Sequence, residues 1–174
     1  MRIFLIAGKS GAGKNEVARY IKEYYIYKLE ESAITSYSKY IKNFARELTD
    51  WDGNPETKPR KFLQDIGREI RKNDPKYFTR RMIEDIDIYS KHVQNVIIDD
   101  VRMPLEIEEM RDNYDNVYAL YIVNQFSPSK LSVQEQADIT ETALENYNDF
   151  DATIANDDQK TLKDKVFKFL EGIE

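Results

Sequence analysis

The stretch GKSGAGKN at residues 8–15 constrains this chain more than any other. It holds three of the six glycines and fits G-x-x-x-x-G-K from Gly8 to Lys14. The short apolar run RIFLIA (2–7) precedes it and reads as a buried strand. After it, Val17, Ile21 and Tyr24 or Tyr25 recur at helical spacing. Glycines at such a strand-to-helix turn let the backbone fold tightly and aim successive N–H groups at an anion beside a helix N-terminus. Gly8, Ser10, Gly11, Ala12 and Gly13 would form that cradle, and Lys14 would place a full positive charge on the outer phosphates. Asn15 stands where a Ser or Thr hydroxyl commonly meets Mg²⁺; its amide oxygen can still ligate a hard cation, and it equally suits helix entry.

The rest of the chain alternates short apolar runs with helical patterns. AITSYS (33–38) reads as a second strand, and residues 39–49 as a helix with Ile41, Ala45 and Leu48 on one face. WDGNPETKP (51–59) is a loop by its glycine and prolines. Helices are expected at 60–72 and 76–91, with Pro75 in the first turn of the second and Asp74 as its cap. VQNVIID (93–99) reads as a strand ending in acids, followed by a helix from Pro104 to about Asp112, and NVYALYIVN (116–124) as another strand. Residues 125–148 read as a polar, mobile segment with some helix. DATIAN (151–156) reads as a last strand, and 158–171 as an amphipathic helix. This alternation predicts an α/β fold with a parallel sheet covered on both faces, its ligands beyond the carboxyl ends of the strands.

Composition narrows the function classes. A length of 174 residues suggests one domain. The net charge of −6 argues against a sequence-independent nucleic-acid binder, so an anionic ligand needs a local positive site. Cysteine is absent, which removes disulfides and thiolate metal sites. The single histidine, His92, reads as a surface residue and makes a zinc site or a Ser-His-Asp triad improbable. No apolar run approaches the ~20 residues that cross a bilayer, and Met1–Ala7 is too short for a signal peptide. The expectation is a cytoplasmic protein, with no membrane and no nucleic-acid polymer as partner, monomeric or homodimeric.

VIIDDVR (96–102) delivers carboxylates at a strand end, the arrangement that holds Mg²⁺ or its water shell in phosphate-transfer sites. Side chains alternate along a strand, so only one of Asp99 and Asp100 need face a nucleotide. Arg102 lies two residues beyond Asp100 and could reach a phosphate in the same cleft. Arg60, Gln64, Arg68 and Arg71 fall at i, i+4, i+8 and i+11, a single helical stripe that is either solvated or binding. Most of the twelve tyrosines and eight phenylalanines read as packing; Tyr37, Tyr40, Phe44 and Tyr77 lie where stacking on a base is plausible.

GKSGAGKN, SYSKYIKNFARELTDW, KPRKFLQDIGREIR, VIIDDVRMPLEIEEM and DATIAND, in this order and spacing, resemble P-loop nucleoside monophosphate kinases, most closely the phage-type and low-GC bacterial deoxynucleoside monophosphate kinases. The resemblance spans nearly the whole chain. It implies a three-layer α/β/α P-loop fold with a five-stranded parallel sheet, ATP and Mg²⁺ as cofactors, and transfer of the γ-phosphoryl group to a nucleoside monophosphate. It implies one kinase domain over 1–174, an acceptor-binding helical insertion at about 38–91 and a lid-like segment at about 125–148. By the same resemblance Gly8, Gly13 and Lys14 hold ATP phosphates, Lys42, Arg60, Gln64, Arg68, Arg71 and Tyr37 face the acceptor, Lys14, Arg71 and Arg102 are catalytic, and Asn15 and Asp100 serve the metal. Asn15 replaces the family's usual Asp.

The lid departs from that family. NMP kinase lids commonly supply arginines, but 125–148 has none; its one cation is Lys130, among the acids Glu135, Asp138, Glu141 and Glu145. Arg102, Arg80 or Arg81 could fill the role, or turnover is slow. Two other readings stay open: a P-loop kinase for another small acceptor such as dephospho-coenzyme A or a phosphorylated isoprenoid precursor, and a nucleotide-binding module with little turnover. The chain carries no N-K-x-D guanine-reading motif and no obvious switch glutamine, which argues against a GTPase switch.

Overall fold

A computed structural model describes residues 1–124 and 131–174 of the chain. Five strands form one sheet in the order β2-β3-β1-β4-β5, every neighbouring pair parallel. In chain order the elements are β1 (Arg2–Ala7), α1 (Lys14–Tyr27), β2 (Ser32–Thr35), α2 (Ser38–Leu48), α3 (Arg60–Asn73) and α4 (Tyr77–Tyr89). They continue with β3 (Asn95–Val101), α5 (Pro104–Asn113), β4 (Val117–Val123), the single-turn helices α6 (Val133–Gln136) and α7 (Ile139–Thr142), β5 (Ala152–Ala155) and α8 (Gln159–Gly172). Helices on both faces make the three-layer α/β/α arrangement that the alternation predicts.

Period-2 alternation divides the core. Phe4, Ile6, Ile97, Leu120 and Ile122 point to one face and pack against Val17, Ile21 and Tyr25 of α1 and Leu162, Val166 and Leu170 of α8. Ile3, Leu5, Val96, Ile98 and Ala119 point to the other, against Phe78, Met82 and Ile86 of α4 and Ile107 and Met110 of α5. Both clusters are almost fully excluded from water, so the central strands β3, β1 and β4 are fixed from two sides. Their carboxyl ends lie side by side, where the loops carrying Gly8, Arg102 and Asn124 emerge.

Two local differences from the sequence reading matter. β3 runs to Val101, because Ala7 pairs with Val101 while Leu5 pairs with Ile98, which leaves one extra residue on β3 between the two pairs. Asp99 and Asp100 therefore lie within the strand at a bulge: Ile98 and Val101, three residues apart, pack in the same core cluster, so simple alternation is broken between them. α4 begins at Tyr77, and Asp74 closes the preceding turn, containing Pro75, by accepting from the Lys76 N–H at 3.2 Å. Of the segment expected to be polar with some helix, residues 131–148 form α6, α7 and turns; Pro128 and Lys130 lie outside the described residues. Among the described residues no helix is long and apolar enough to cross a membrane.

Candidate active site

The loop between β1 and α1 is shaped by contacts that exclude side chains. Gly8 has φ +141°, and a Cβ there would lie 2.5 Å from the carbonyl oxygen of Ile122 on β4. Gly13 has φ +99°, and its Cβ would lie 2.3 Å from Asn156 Nδ2. That Asn156 amide is buried and donates to the Ala12 carbonyl at 2.9 Å, pinning the loop to the end of β5. Lys14 folds back over the loop, its ammonium donating to the carbonyls of Gly8 (2.7 Å) and Lys9 (2.9 Å). Burial, with the Arg102 charge next, lowers its pKa to about 7. Glu141, Asp100 and Asp99 partly oppose that shift, and an anion bound beside Lys14 would oppose it further.

The two aspartates of β3 do different work. Asp100 accepts from the backbone N–H groups of Tyr37 (2.7 Å) and Ser38 (2.9 Å), so its carboxylate caps the start of α2. Among the described residues the Asp99 carboxylate has no side-chain hydrogen-bond or ion-pair partner, and burial together with the adjacent Asp100 charge raises its pKa to about 6, against the pull of Lys42 and Lys14. Glu106, buried in the first turn of α5, accepts from the N–H groups of Arg102 (2.7 Å) and Met103 (3.1 Å) and faces Arg71 at 3.5 Å. Burial raises the Glu106 pKa while Arg71 opposes it. Arg71 itself lies over the Phe78 ring, 4.5 Å from its centroid, and donates to the Gly67 carbonyl at 3.3 Å.

These elements enclose a cavity of about 350 Å³. Ser10, Gly11, Lys14 and Asn15 line it from the phosphate loop, Asp99, Asp100 and Arg102 from β3 and its end. On the other side stand Tyr37, Lys42, Arg60, Gln64 and Arg71. Most residues singled out in the sequence thus converge on one space. Arg68 does not: it is exposed and pairs with Asp65 and Asp138. Gly8, Ala12 and Gly13 shape the loop behind the wall. Tyr37 reaches the cavity with its ring mostly buried in the core. Tyr40 bonds Asp85, and Phe44 and Tyr77 line a separate apolar groove, so none of the three borders the cavity. Arg80 pairs with Asp74 and Arg81 with Glu84, away from it.

Sequence reasoning missed three contributors. Lys58 projects into the cavity from the α2–α3 loop, its pKa lowered by burial and by the neighbouring Lys42 and Arg60 charges. Its only sequence signal is a lysine beside Pro59. Phe78, the platform for Arg71, reads as ordinary core. Asn156 is tied to its partner across 144 residues, a distance no local pattern reports. Among the described residues the side chains of Lys42, Lys58 and Arg60 make no direct hydrogen bond or ion pair, so three cations share one wall of the cavity, with Asp99 and Asp100 the nearest acids lining it.

The acids of the 131–148 segment meet the phosphate loop. Glu141 accepts from the Ser10 N–H at 2.9 Å and from Arg102 Nη1 at 2.8 Å, and Glu145 pairs with Lys9 at 2.7 Å. A second cavity of about 260 Å³ continues on the β4 side of the loop, and Ser10, Gly11, Leu131 and Glu141 line both spaces. Among the described residues no cluster of three or more acids or histidines could hold a metal alone. Asp99 with Asn15 nonetheless fits a Mg²⁺ bound chiefly through phosphate oxygens, since such sites use one or two carboxylates.

Comparison with known proteins agrees with this geometry. The model of the family described as "Deoxynucleotide monophosphate kinase" matches residues 28–166. No curated protein matches the chain. Among solved structures, TT1252 from Thermus thermophilus is similar at TM-score 0.59 and 14% identity, covering 99% of this chain and 97% of that one. Shikimate kinase from Aquifex aeolicus gives 0.54 and 14%, covering 99% and 98%. The APS kinase of Mycobacterium tuberculosis gives 0.51 and 12%, covering 98% and 96%. At such identities these likenesses establish the P-loop kinase fold and nothing finer.

Proposed function

From the premise that the chain belongs to the deoxynucleotide monophosphate kinase family, we propose that it transfers the γ-phosphoryl group of ATP to a deoxynucleoside monophosphate, acting as one kinase domain over 1–174. The observation that carries the acceptor side of this reading is the wall of Lys42, Lys58 and Arg60, cations whose side chains form no direct ion pair among the described residues and which face Lys14 and Asp99 across one cavity. A monophosphate dianion would satisfy them. The apolar Ile41, Leu63 and Phe78 beside them offer surface for a base.

In this reading the donor's phosphates lie on the N–H groups of residues 8–15, and Lys14 binds the outer ones. Bound polyphosphate raises the Lys14 pKa from about 7 and holds the ammonium charged. An acceptor phosphate oxygen attacks the γ-phosphorus as the bond to the β–γ bridging oxygen breaks, and ADP leaves with that electron pair. The nucleophile is already an anion, so no side chain need remove a proton. Arg71, fixed by Phe78 and Glu106, would bind the acceptor phosphate, and together with Arg102, fixed through its backbone by Glu106, would meet charge on the transferring group. Mg²⁺, when bound, would neutralise the phosphates; Asp99 and Asn15 would hold it, while Asp100 anchors α2. Cations from α2, α3 and the loop before α3 would thus stand in for lid arginines.

The test is ADP release from Mg·ATP against eight ribo- and deoxynucleoside monophosphates. Selective turnover with at least one deoxynucleotide is expected, lost in Lys14→Met with the fold retained by circular dichroism. Silence across the panel, with ATP binding intact, would overturn the acceptor assignment; full activity in Lys14→Met would overturn the site.

A further inference from the structure

We propose that Glu141 is an internal competitor for the phosphate site: its carboxylate holds the place of a phosphate group between the two cavities, and a polyphosphate must expel it to bind. This rests on the phosphate loop being the donor site. Glu141 Oε2 accepts from the Ser10 peptide N–H at 2.9 Å and Oε1 from Arg102 Nη1 at 2.8 Å. A loop N–H and an arginine are the donor set that phosphate oxygens take. The carboxylate is 9% exposed, so it is a filled position in the site rather than a solvated surface acid. It also lies near enough to Lys14 to raise that lysine's pKa, as a phosphate would.

The neighbouring contacts hold the competitor in place. Asp138, four-fifths of a turn before it, is buried and accepts from Arg68 Nη2 at 2.8 Å and from the Thr140 N–H at 3.0 Å. Glu145 pairs with Lys9 of the loop at 2.7 Å, and the Thr140 carbonyl accepts from Arg102 at 3.3 Å. Acids of one segment thus meet basic and peptide donors of both the phosphate loop and α3. An incoming phosphate oxygen cannot take the Ser10 N–H while Glu141 Oε2 sits on it, and two anions cannot share that donor at low cost. Apparent affinity is therefore the intrinsic affinity scaled by the fraction of molecules whose Glu141 has left. The acidic composition that departs from NMP kinase lids then has a role: Arg102 stays neutralised until a polyphosphate arrives. Expulsion also opens the wall between the cavities, joining donor and acceptor spaces only when a donor is bound.

Inorganic pyrophosphate is the probe, because it needs neither a base nor turnover. By calorimetry Glu141→Gln is expected to bind it about tenfold more tightly than wild type, since the amide keeps the shape but accepts only through one oxygen. Glu108→Gln, on an exposed part of α5, should leave binding unchanged. In the wild-type protein, pyrophosphate should speed amide hydrogen exchange across residues 139–145. Equal or weaker binding by Glu141→Gln, or unchanged exchange at 139–145 on saturation, would overturn the inference; if Lys14→Met still abolished binding, the kinase reading would stand. Failure of wild type and Glu141→Gln alike to bind pyrophosphate would overturn both.

Discussion

Replacing Gly67 by alanine should make the protein more stable and a poorer enzyme at once. Gly67 lies in the interior of α3, buried, with ordinary helical backbone. Alanine there removes the entropic cost of glycine and favours the helix by about 0.5–1 kcal/mol. The added Cβ would sit 3.8 Å from Ile41 Cδ1, an ordinary contact, but 3.1 Å from Arg71 Nη1. That guanidinium must move by a few tenths of an ångström, and it is held over Phe78, at 3.5 Å from Glu106 and at 3.3 Å from the Gly67 carbonyl. A flexible side-chain end can give; the Glu106 contact, already at its limit, is what goes. For a chain of this size a gain near 1 kcal/mol raises Tm by about 2–4 °C. A charge-assisted hydrogen bond to phosphate contributes about 1.5–3 kcal/mol, so a displaced Arg71 should raise the acceptor KM about tenfold and leave the ATP KM alone. Thermal unfolding and steady-state kinetics on the same sample decide it. A lowered Tm would show that Arg71 cannot yield. A raised Tm with an unchanged acceptor KM would remove Arg71 from the acceptor site. In an Arg71→Met background the kinetic effect of Gly67→Ala should vanish.

Two further outcomes are expected. Asn156→Ala should free the Ala12 carbonyl and the space beside Gly13, raising the ATP KM about tenfold with only a small loss of Tm; an unchanged KM in kinetic titrations would show that the loop holds its shape unaided. Tyr25 is fully buried, its hydroxyl has no hydrogen-bond partner among the described residues, and burial raises its pKa to about 12. The unfolded chain loses that proton near pH 10 and the folded one only near 12, so the unfolded state binds fewer protons in between and stability falls as pH rises from about 10 to 12. Tyr25→Phe should flatten that fall and add roughly 1 kcal/mol at pH 7, where a stranded hydroxyl is removed. Urea unfolding at pH 7 and pH 11 tests it; an equally steep alkaline loss in the variant would refute the assignment.

The parts of this architecture that local pattern controls were readable in the sequence. RIFLIA, VIIDDV and VYALYIV are apolar runs with no other use than buried parallel strands, and Gly8 to Lys14 forces a strand-loop-helix unit between the first of them and α1. What pattern could not decide was side-chain destination. The stripe Arg60, Gln64, Arg68, Arg71 is continuous on the helix, but Asp138 draws Arg68 out of the cavity. Asp99 and Asp100 are equivalent to the eye until the one-residue bulge of β3 places both inside the strand and the N–H groups at the start of α2 claim one of them. Tyr40, Phe44 and Tyr77 are aromatics near an acceptor segment, yet they serve contacts among α2, α3 and α4. Lys58 stayed invisible because loop lysines are common and its confinement comes from α2 and α3 folding around it.

The split between Asp99 and Asp100 has a mechanical consequence. The anchor of α2 and the candidate metal ligand are consecutive residues, so their Cα atoms stay about 3.8 Å apart whatever else moves. If α2 and α3 swing toward a bound acceptor, the pull on the Tyr37 and Ser38 amides arrives at Asp100 and therefore at the peptide next to Asp99. The end of β3 is then a fulcrum between the acceptor arm and the donor phosphates. Grafting the helices of a relative onto this sheet, to change the nucleotide it accepts, would transmit no such motion unless the graft kept two N–H groups aimed at position 100.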